Sequence, residues 1–231
     1  DFNAAVSGDK DLSLKAMGNV ALAGTAIDSI KVDAEIAKLP ASLANAFVPN
    51  LAAGGTISGT ASASGTLAAP KADFKLDWTD AATSQTRSAH LSGLALTTSG
   101  RFADDRLDFN ATLAGKDGLS LKAAGNVAIS GTSVKTLDVK ADLANLPAGL
   151  ANGFVPGLGA EGTVSGTASA SGALPKPAVD FKLDWKNAAT AQTRSSGLSG
   201  LSAAASGKFA NDRVDFDANL AGKDGVLAFA Q

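Results

Sequence analysis

The sequence has no cysteine and no tyrosine, and its 231 residues include only one histidine and two tryptophans. Without cysteine there is no disulfide framework, no thiol nucleophile and no thiolate metal site. The single imidazole, His90, has no second histidine with which to form a zinc site or an acid–base pair. We therefore expect no catalytic residue, no metal site, no cofactor and no enzymatic activity.

The charge and hydropathy of the sequence argue against several further classes of function. The 20 Lys and Arg residues nearly balance the 22 Asp and Glu residues, which gives a formal net charge of −2. A balanced chain without a basic run lacks the attraction that nucleic acids and anionic membrane surfaces require, so we expect no nucleic-acid partner. No segment approaches the ~18 apolar residues of a membrane-spanning helix. The motif "GLGAEG" (157–162) resembles a dinucleotide-binding loop, but it follows a predicted helix and precedes a predicted strand, which is the wrong order.

What the sequence does contain is a long repeat. The run "SGTASASG" occurs at 58–65 and again, letter for letter, at 165–172. Aligned without a gap, 1–107 and 108–214 are identical at about 65 of 107 positions. We therefore divide the chain into a first unit (1–107), a second unit (108–214) and the start of a third (215–231), and expect it to be a segment of a longer array.

Within each unit the apolar residues alternate with polar ones, which is typical of half-buried strands. The segments "SIKVDAEI" (29–36) and "DFKLDW" (73–78) show this period of two. One apolar and one polar face favour antiparallel pairing. Turn signals such as "GKDG" (115–118) and the centre of "FADDRLDF" (102–109) predict about seven to nine strands per unit. The predicted fold class is all-β: an elongated repeat array of mainly antiparallel strands.

One segment of each unit departs from this alternation. "LPASLANAF" (39–47) places Leu39, Leu43 and Phe47 four residues apart, and "LPAGLANGF" (146–154) repeats the pattern. Proline is tolerated at the first helical position. We predict one short helix of two turns per unit, with its apolar side capping an opening of the β-structure.

The glycine-rich run "TISGTASASG" is predicted to be a strand whose inner residues are small. Glycine inside a strand often marks a bulge or a close approach of another backbone. Two interpretations follow from this. The strand marks a sharp bend in the sheet, or it leaves clearance for a ligand.

The order of these segments resembles that of the TamB family of bacterial envelope proteins, within the broader AsmA-like group. The resemblance rests on "LPASLANAFVPNLAAGGTISGTASASGTLAAPKADFKLD" (39–77), on its counterpart at 146–184, and on "GRFADDRLDFNATLAGKDGLSLKAAGNVAISG" (100–131). It covers essentially the whole chain and is closest to alphaproteobacterial members. The family's N-terminal membrane helix and C-terminal barrel-docking domain have no counterpart in these residues.

The resemblance implies a fold, a location and a function. Family members are anchored in the inner membrane and cross the periplasm of Gram-negative bacteria. Their main part is a curved β-structure called a β-taco, whose groove has an apolar interior. They act with an outer-membrane barrel of the Omp85 type, TamA, and are linked to phospholipid movement to the outer membrane and to insertion of outer-membrane proteins.

We therefore expect a lipid conduit that binds phospholipid acyl chains along the apolar strand faces. Two alternatives remain open: a structural stalk or adhesin-like spacer, in which the apolar faces pack on each other, and a scaffold for outer-membrane protein strands. The candidate groove-lining residues are Leu12, Leu14, Val20, Ile30, Val32, Ile57, Phe74, Leu76 and Trp78 in the first unit, and Leu119, Leu121, Val127, Leu137, Val139, Val164, Phe181, Leu183 and Trp185 in the second.

Overall fold

The computed structural model describes residues 1–24, 26–46, 48, 50–131, 133–153, 155–198, 200–222 and 225–230. These residues form one open sheet of fourteen strands, which pair in chain order, each antiparallel to the next. The strands are β1 (Phe2–Ser7), β2 (Ser13–Ala23), β3 (Ala26–Pro40), β4 (Gly54–Thr66), β5 (Ala69–Ala82), β6 (Leu94–Ala103), β7 (Arg106–Ala114), β8 (Ser120–Ser130), β9 (Ser133–Pro147), β10 (Glu161–Ala173), β11 (Ala178–Ala189), β12 (Leu201–Ala210), β13 (Arg213–Gly222) and β14 (Gly225–Ala230). The predicted all-β antiparallel array is confirmed.

The elements recur with the period of the sequence, so that β2 to β7 are matched by β8 to β13. Each unit contributes six strands, fewer than the seven to nine predicted, because several strands are long: β3 has 15 residues and β4 has 13. At about 4.8 Å per strand, six strands extend the array by about 29 Å. The boundary drawn between the units at 107 and 108 lies inside β7, and the sheet crosses it without a break.

The connections alternate between the two ends of the strands. The connections that follow the odd-numbered strands β1 to β11 lie at one end, which we call the cap rim. Those that follow the even-numbered strands β2 to β12 lie at the other end, which we call the turn rim. All the short helices of the described residues lie at the cap rim. They are the single-turn helices α1 (Ser84–Ser88) and α2 (Ala191–Ser195) and the 3-10 helices Asp9–Asp11, Ala41–Ala46, Lys116–Gly118 and Ala148–Gly153.

The helix predicted at 39–47 is a 3-10 helix that begins at Ala41, because β3 continues through Pro40. The register of β3 shifts between Ile36 and Leu39, and proline is accepted beside such a bulge. Leu43 is 54% exposed and does not cap the apolar side of the sheet. The predicted contacts of Phe47 and Phe154 lie outside the described residues.

The repeated glycine-rich run forms β4, and its glycines have positive φ values. Gly55, Gly59 and Gly65 have φ values of +92°, +152° and +105°, which few other residues adopt. A Cβ atom at Gly59 would overlap the carbonyl oxygen of Lys75 on β5. The registers of β3 and β5 against β4 both shift near these glycines. The glycines therefore permit a close approach of the neighbouring backbone beside these register shifts.

The buried residues of this sheet are few and lie near one end of the strands. The buried hydrophobic residues of the described chain all lie at the cap rim: Ala41, Ala53, Ala81, Leu94, Leu119, Ala148, Ala160, Ala188 and Leu201. The accessible surface of the chain is 14342 Å². A compact protein of this mass exposes about 9,600 Å². This excess of about one half agrees with a single sheet over which the described residues form no second layer.

Candidate functional site: the apolar face

Strand pairing brings the apolar residues of successive strands to one side of the sheet, which we call the apolar face. Residues directly opposite each other in a register project to the same side. Leu14 lies opposite Ile36, and Val20 lies opposite Ile30. In the second unit Leu121 lies opposite Leu143. The alternation read from the sequence therefore becomes a continuous lining, and the polar residues between these positions form the opposite, polar face.

The candidate lining residues are mostly half-buried on this face, with three that differ. Val20 is 41% exposed. Leu12 lies in the connection before β2 and is half-buried. Leu119 lies in the connection before β8 and is only 4% exposed, because it packs with Ala81 and Leu94 in the core of the cap rim. Leu119 is thus a core residue of the cap rim and does not line an open surface.

The register also adds lining residues that the sequence pattern did not single out. A row of large side chains crosses the junction of the units, in which Trp78 lies opposite Leu96, Leu96 opposite Leu113, and Leu113 opposite Leu121. Leu39 joins this row opposite Ile57, because the shift in β3 returns it to the apolar side. The alternation of "LALTTSG" on β6 was the available signal, although its threonines weaken it.

The cap rim closes one side of the apolar face with specific polar contacts. The indole Nε1 of Trp78 donates to the carbonyl oxygen of Gly54 at 2.8 Å, and Trp185 donates to that of Glu161 at 2.8 Å. Each indole therefore has its donor satisfied while its ring stays on the apolar face. These bonds hold the rings beside the register shifts at Gly54 and Glu161.

Asparagine and arginine side chains hold the cap loops in place. Asn152 accepts from the N–H of Ala160 at 2.7 Å and donates to its carbonyl oxygen at 3.2 Å. The guanidinium of Arg194, on α2, donates to the carbonyl oxygen of Gly159 at 2.9 Å and pairs with Glu161 at 2.8 Å. Asn45 and Arg87 do the same in the first unit for the backbone of Ala53 and Ala52. These contacts attach the cap loops to the ends of the strands.

The helices that carry these arginines were not predicted. Thr83 begins α1 and Thr86 completes a capping box with it, and Thr190 and Thr193 do the same for α2. The usual capping box has Glu or Gln at the third position, so a threonine pair is a weak signal in a sequence.

No second layer of the described chain covers the apolar face. Each strand makes its principal contacts with the strands before and after it. At the turn rim the apolar residues reach solvent, where Leu22 is 64% exposed and Leu67 is 70% exposed. The described residues include no buried polar or charged side chain. The site is therefore an uncovered apolar surface that is walled at the cap rim and open at the turn rim.

The polar face has the character of a solvated surface. A shallow groove of about 740 Å³ runs between two rows of side chains in which opposite charges alternate, such as Lys15 beside Glu35 and Asp73 beside Arg101. Its ion pair, from Arg101 Nε to Asp73 Oδ1, is 4.0 Å long and exposed. Such pairs contribute little. Within the described part of the chain, no group of three or more His, Asp or Glu side chains is placed to hold a metal ion.

One carboxyl group on the surface has a shifted pKa. Lys38 Nζ donates to Asp11 Oδ2 at 2.6 Å. This hydrogen bond, together with the positive charge of Lys38, lowers the pKa of Asp11 below its ordinary value. In the second unit Asn145 stands in the place of Lys38 and donates to the carbonyl oxygen of Gly118 at 3.3 Å. The ion pair is therefore a variable surface contact and not a site.

Comparison of the chain with protein-family models, with curated proteins and with solved structures finds no match. Among the described helices, none combines the length and the apolar content needed to span a membrane. The geometry of the apolar face is therefore what supports a function for this chain.

Proposed function

We propose that the apolar face binds lipid acyl chains and that the chain is part of a conduit that carries phospholipid between the inner and outer membranes. The observation that carries this proposal is an apolar face that continues across both units, with no layer of the described residues over it. The proposal agrees with what the resemblance to the TamB family implies. It includes a periplasmic location and an Omp85-type barrel partner, TamA, that is contacted by segments other than 1–231.

The energetics favour an apolar occupant. Apolar surface in contact with water is unfavourable by roughly 25 cal/mol per Å². An acyl chain that lies on the apolar face gains ~0.8 kcal/mol for each CH₂ group that it buries. A polar ligand would lose its own hydration on a surface where the described residues offer no buried polar partner.

The same chemistry allows the occupant to move. A ligand is held at one position when directional polar groups fix it there. Along the middle of the strands the lining consists mainly of Leu, Ile, Val, Phe, Ala and Gly, which attract an acyl chain without direction. Thr98 opposite Leu76 is an exception, and its hydroxyl group donates to the carbonyl oxygen of Asn110 at 3.1 Å. Because the second unit repeats the first, a chain that leaves one unit meets a similar lining in the next.

The stalk alternative requires the apolar faces to pack on each other. That packing would bury large side chains in the middle of the strands. In the described chain the buried residues are confined to the cap rim, and no large side chain is less than 2% exposed. This distribution supports the conduit over the stalk.

A photo-crosslinking experiment tests the proposal with a matched control. A photoreactive amino acid is placed at Leu76 or Leu183 on the apolar face, and at the adjacent Lys75 or Lys182 on the polar face. The protein is illuminated in envelope vesicles and its adducts are identified by mass spectrometry. We expect lipid adducts at the two leucine positions and not at the lysine positions. Equal labelling of both faces, or no lipid adduct, would refute the proposal.

A further inference from the structure

The two units join at the cap rim through a contact between short helices. The helix α1 of the first unit packs against the 3-10 helix Ala148–Gly153 of the second. The loop after α1 extends this contact, since its Leu91 lines a cavity of about 340 Å³ together with Pro147 and Thr163 of the second unit. The junction therefore has two sides. We call α1 with Leu91 the helix side, and the 3-10 helix with Pro147 and Thr163 the acceptor side.

The repeat supplies a second acceptor side, in the first unit, that α1 does not cover. It is formed by the 3-10 helix Ala41–Ala46, whose principal contacts among the described elements are with β4. Its Leu43 is 54% exposed, whereas the equivalent Leu150 lies in the 3-10 helix that contacts α1 and is half-buried. This difference matches the presence of a helix side on one 3-10 helix and its absence from the other.

The second unit likewise carries a second helix side, formed by α2 and Leu198. Leu198 follows α2 and is 41% exposed. The equivalent Leu91 follows α1, is half-buried and packs against the core that contains Leu94 and Leu119. Because Leu119 belongs to the second unit, Leu91 is covered in part by the unit that follows its own.

The edges of the described sheet form a matching pair. β1 and β14 each pair with one neighbour, and an unpaired strand edge is a ready template for another chain. Val6 on β1 is 58% exposed, whereas the equivalent Leu113 on β7 packs against the core of the cap rim. Because the strands alternate in direction, β14 of one copy beside β1 of another continues the antiparallel order and keeps the apolar faces on the same side.

We propose that this chain binds a second copy of itself head to tail, with the helix side of one copy's second unit against the acceptor side of the next copy's first unit. The junction between the two units is the template, because it joins nearly the same sequences. The two helices read "SQTRS" and "AQTRS", and the two 3-10 helices read "ASLANA" and "AGLANG". A contact between two different surfaces leaves one of each free, so association continues from copy to copy unless a ring closes. This inference goes beyond the proposed function and does not depend on lipid binding.

Sedimentation velocity of chain 1–231 tests the proposal between about 1 µM and about 0.1 mM, the range in which contacts of micromolar affinity become populated. We expect the weight-average mass to rise with concentration beyond twice that of the 22.8 kDa chain. Leu43→Asp places a charge on the acceptor side and Leu198→Asp places one on the helix side. Each should raise the dissociation constant at least about tenfold, because the contact leaves the charge without water or a partner.

Two comparisons make the test specific. Leu67→Asp is the matched control, since Leu67 is 70% exposed at the turn rim and belongs to neither side, and this variant should associate like the unmodified chain. The Leu43→Asp variant keeps an intact helix side, and the Leu198→Asp variant keeps an intact acceptor side. At concentrations where neither variant associates alone, an equimolar mixture should therefore form a complex of two chains and nothing larger.

Several outcomes would overturn the head-to-tail contact. One is a chain that stays monomeric over the whole range, and another is a mixture of the two variants that stays monomeric. Association that Leu43→Asp and Leu198→Asp leave unchanged, or that Leu67→Asp weakens equally, would place the contact on another surface. Both target leucines are exposed, so their variants should keep the circular dichroism spectrum. Leu43→Ser or Leu198→Ser replaces a variant that does not, and the lipid crosslinking at Leu76 is decided separately.

Discussion

An aspartate on the apolar face tests most directly whether this face is open. Leu76 is half-buried on β5, and its partners in the register are Gly59 and Thr98. If no layer covers the face, the carboxylate of Leu76→Asp reaches water. Leu94 is the matched comparison, since it is 2% exposed in the core of the cap rim and a carboxylate there is enclosed.

The expected loss in the free energy of unfolding differs between the two substitutions. Full burial of a leucine contributes about 1.5–3 kcal/mol, and a half-buried leucine contributes about half of that. Poor strand propensity of aspartate adds up to about 1 kcal/mol. Leu76→Asp should therefore lower the free energy of unfolding by about 2 kcal/mol, which for a chain of this length lowers Tm by about 4–8 °C. Leu94→Asp encloses an unpaired charge and should cost at least about 5 kcal/mol.

Urea and thermal unfolding followed by circular dichroism measure both effects. The Leu76→Asp variant should keep the β-sheet spectrum of the unmodified chain, and the Leu94→Asp variant should lose most of it at 25 °C. A loss of stability for Leu76→Asp as large as that for Leu94→Asp would refute the reasoning. It would mean that the middle of the apolar face is packed and not open to solvent.

Three further predictions concern a glycine of β4, the cap rim and the surface. Gly59→Ala should cost at least about 2 kcal/mol in urea unfolding, since its Cβ would meet the β5 backbone, while Gly24→Ala, in open space at φ +67°, should cost about 1 kcal/mol. Asn152→Ala removes two hydrogen bonds from its cap loop and should cost about 1–2 kcal/mol in the same assay. The pKa of Asp11, measured by NMR titration, should lie below its ordinary value and return to it in Lys38→Ala. Because the folded pKa is lowered, the stabilisation by this pair is present above the unfolded pKa and is lost as the pH falls through the folded one.

The parts of the fold that sequence reasoning predicted are those set by neighbouring residues. In "DFKLDW" the alternation placed Phe74, Leu76 and Trp78 on one side, and the register of β5 against β4 agrees. The glycine-rich run was predicted to be a strand with a bulge or a close backbone approach, and β4 has positive φ values at its glycines. A period of two and a glycine-rich strand can be read without knowing which strands pair.

The features of the fold that sequence reasoning missed depend on contacts between strands. Leu119 continued the alternation of β8 in the sequence, but the turn before this strand directs it into the core with Ala81 and Leu94. Leu39 does not fit the alternation of β3, because the pattern is interrupted at Lys38. The φ of Lys38 is +50°, and the strand has a bulge there. A bulge is an extra residue in one strand relative to the strand that pairs with it. It therefore cannot be recognised from the sequence of one strand alone.

The pairing register explains how a sheet this thin can be stable while its apolar face stays uncovered. Each strand gains its hydrogen bonds from its two neighbours, and the cap rim provides each unit with a small core. In the described residues, the half-buried side chains in the middle of the strands pack against neighbours within the sheet and not against a second layer. The register also makes the rows of paired residues oblique to the axis of the array. Ala123 in the second unit is equivalent to Ala16 in the first. The row of paired residues that begins at Ala16 nevertheless reaches Gly125 and not Ala123. This stagger of two residues, about 7 Å per unit, tilts the strands against the axis of the array. A longer array of such units would repeat this stagger from unit to unit, which the proposed conduit would tolerate because its contacts with an acyl chain have no direction.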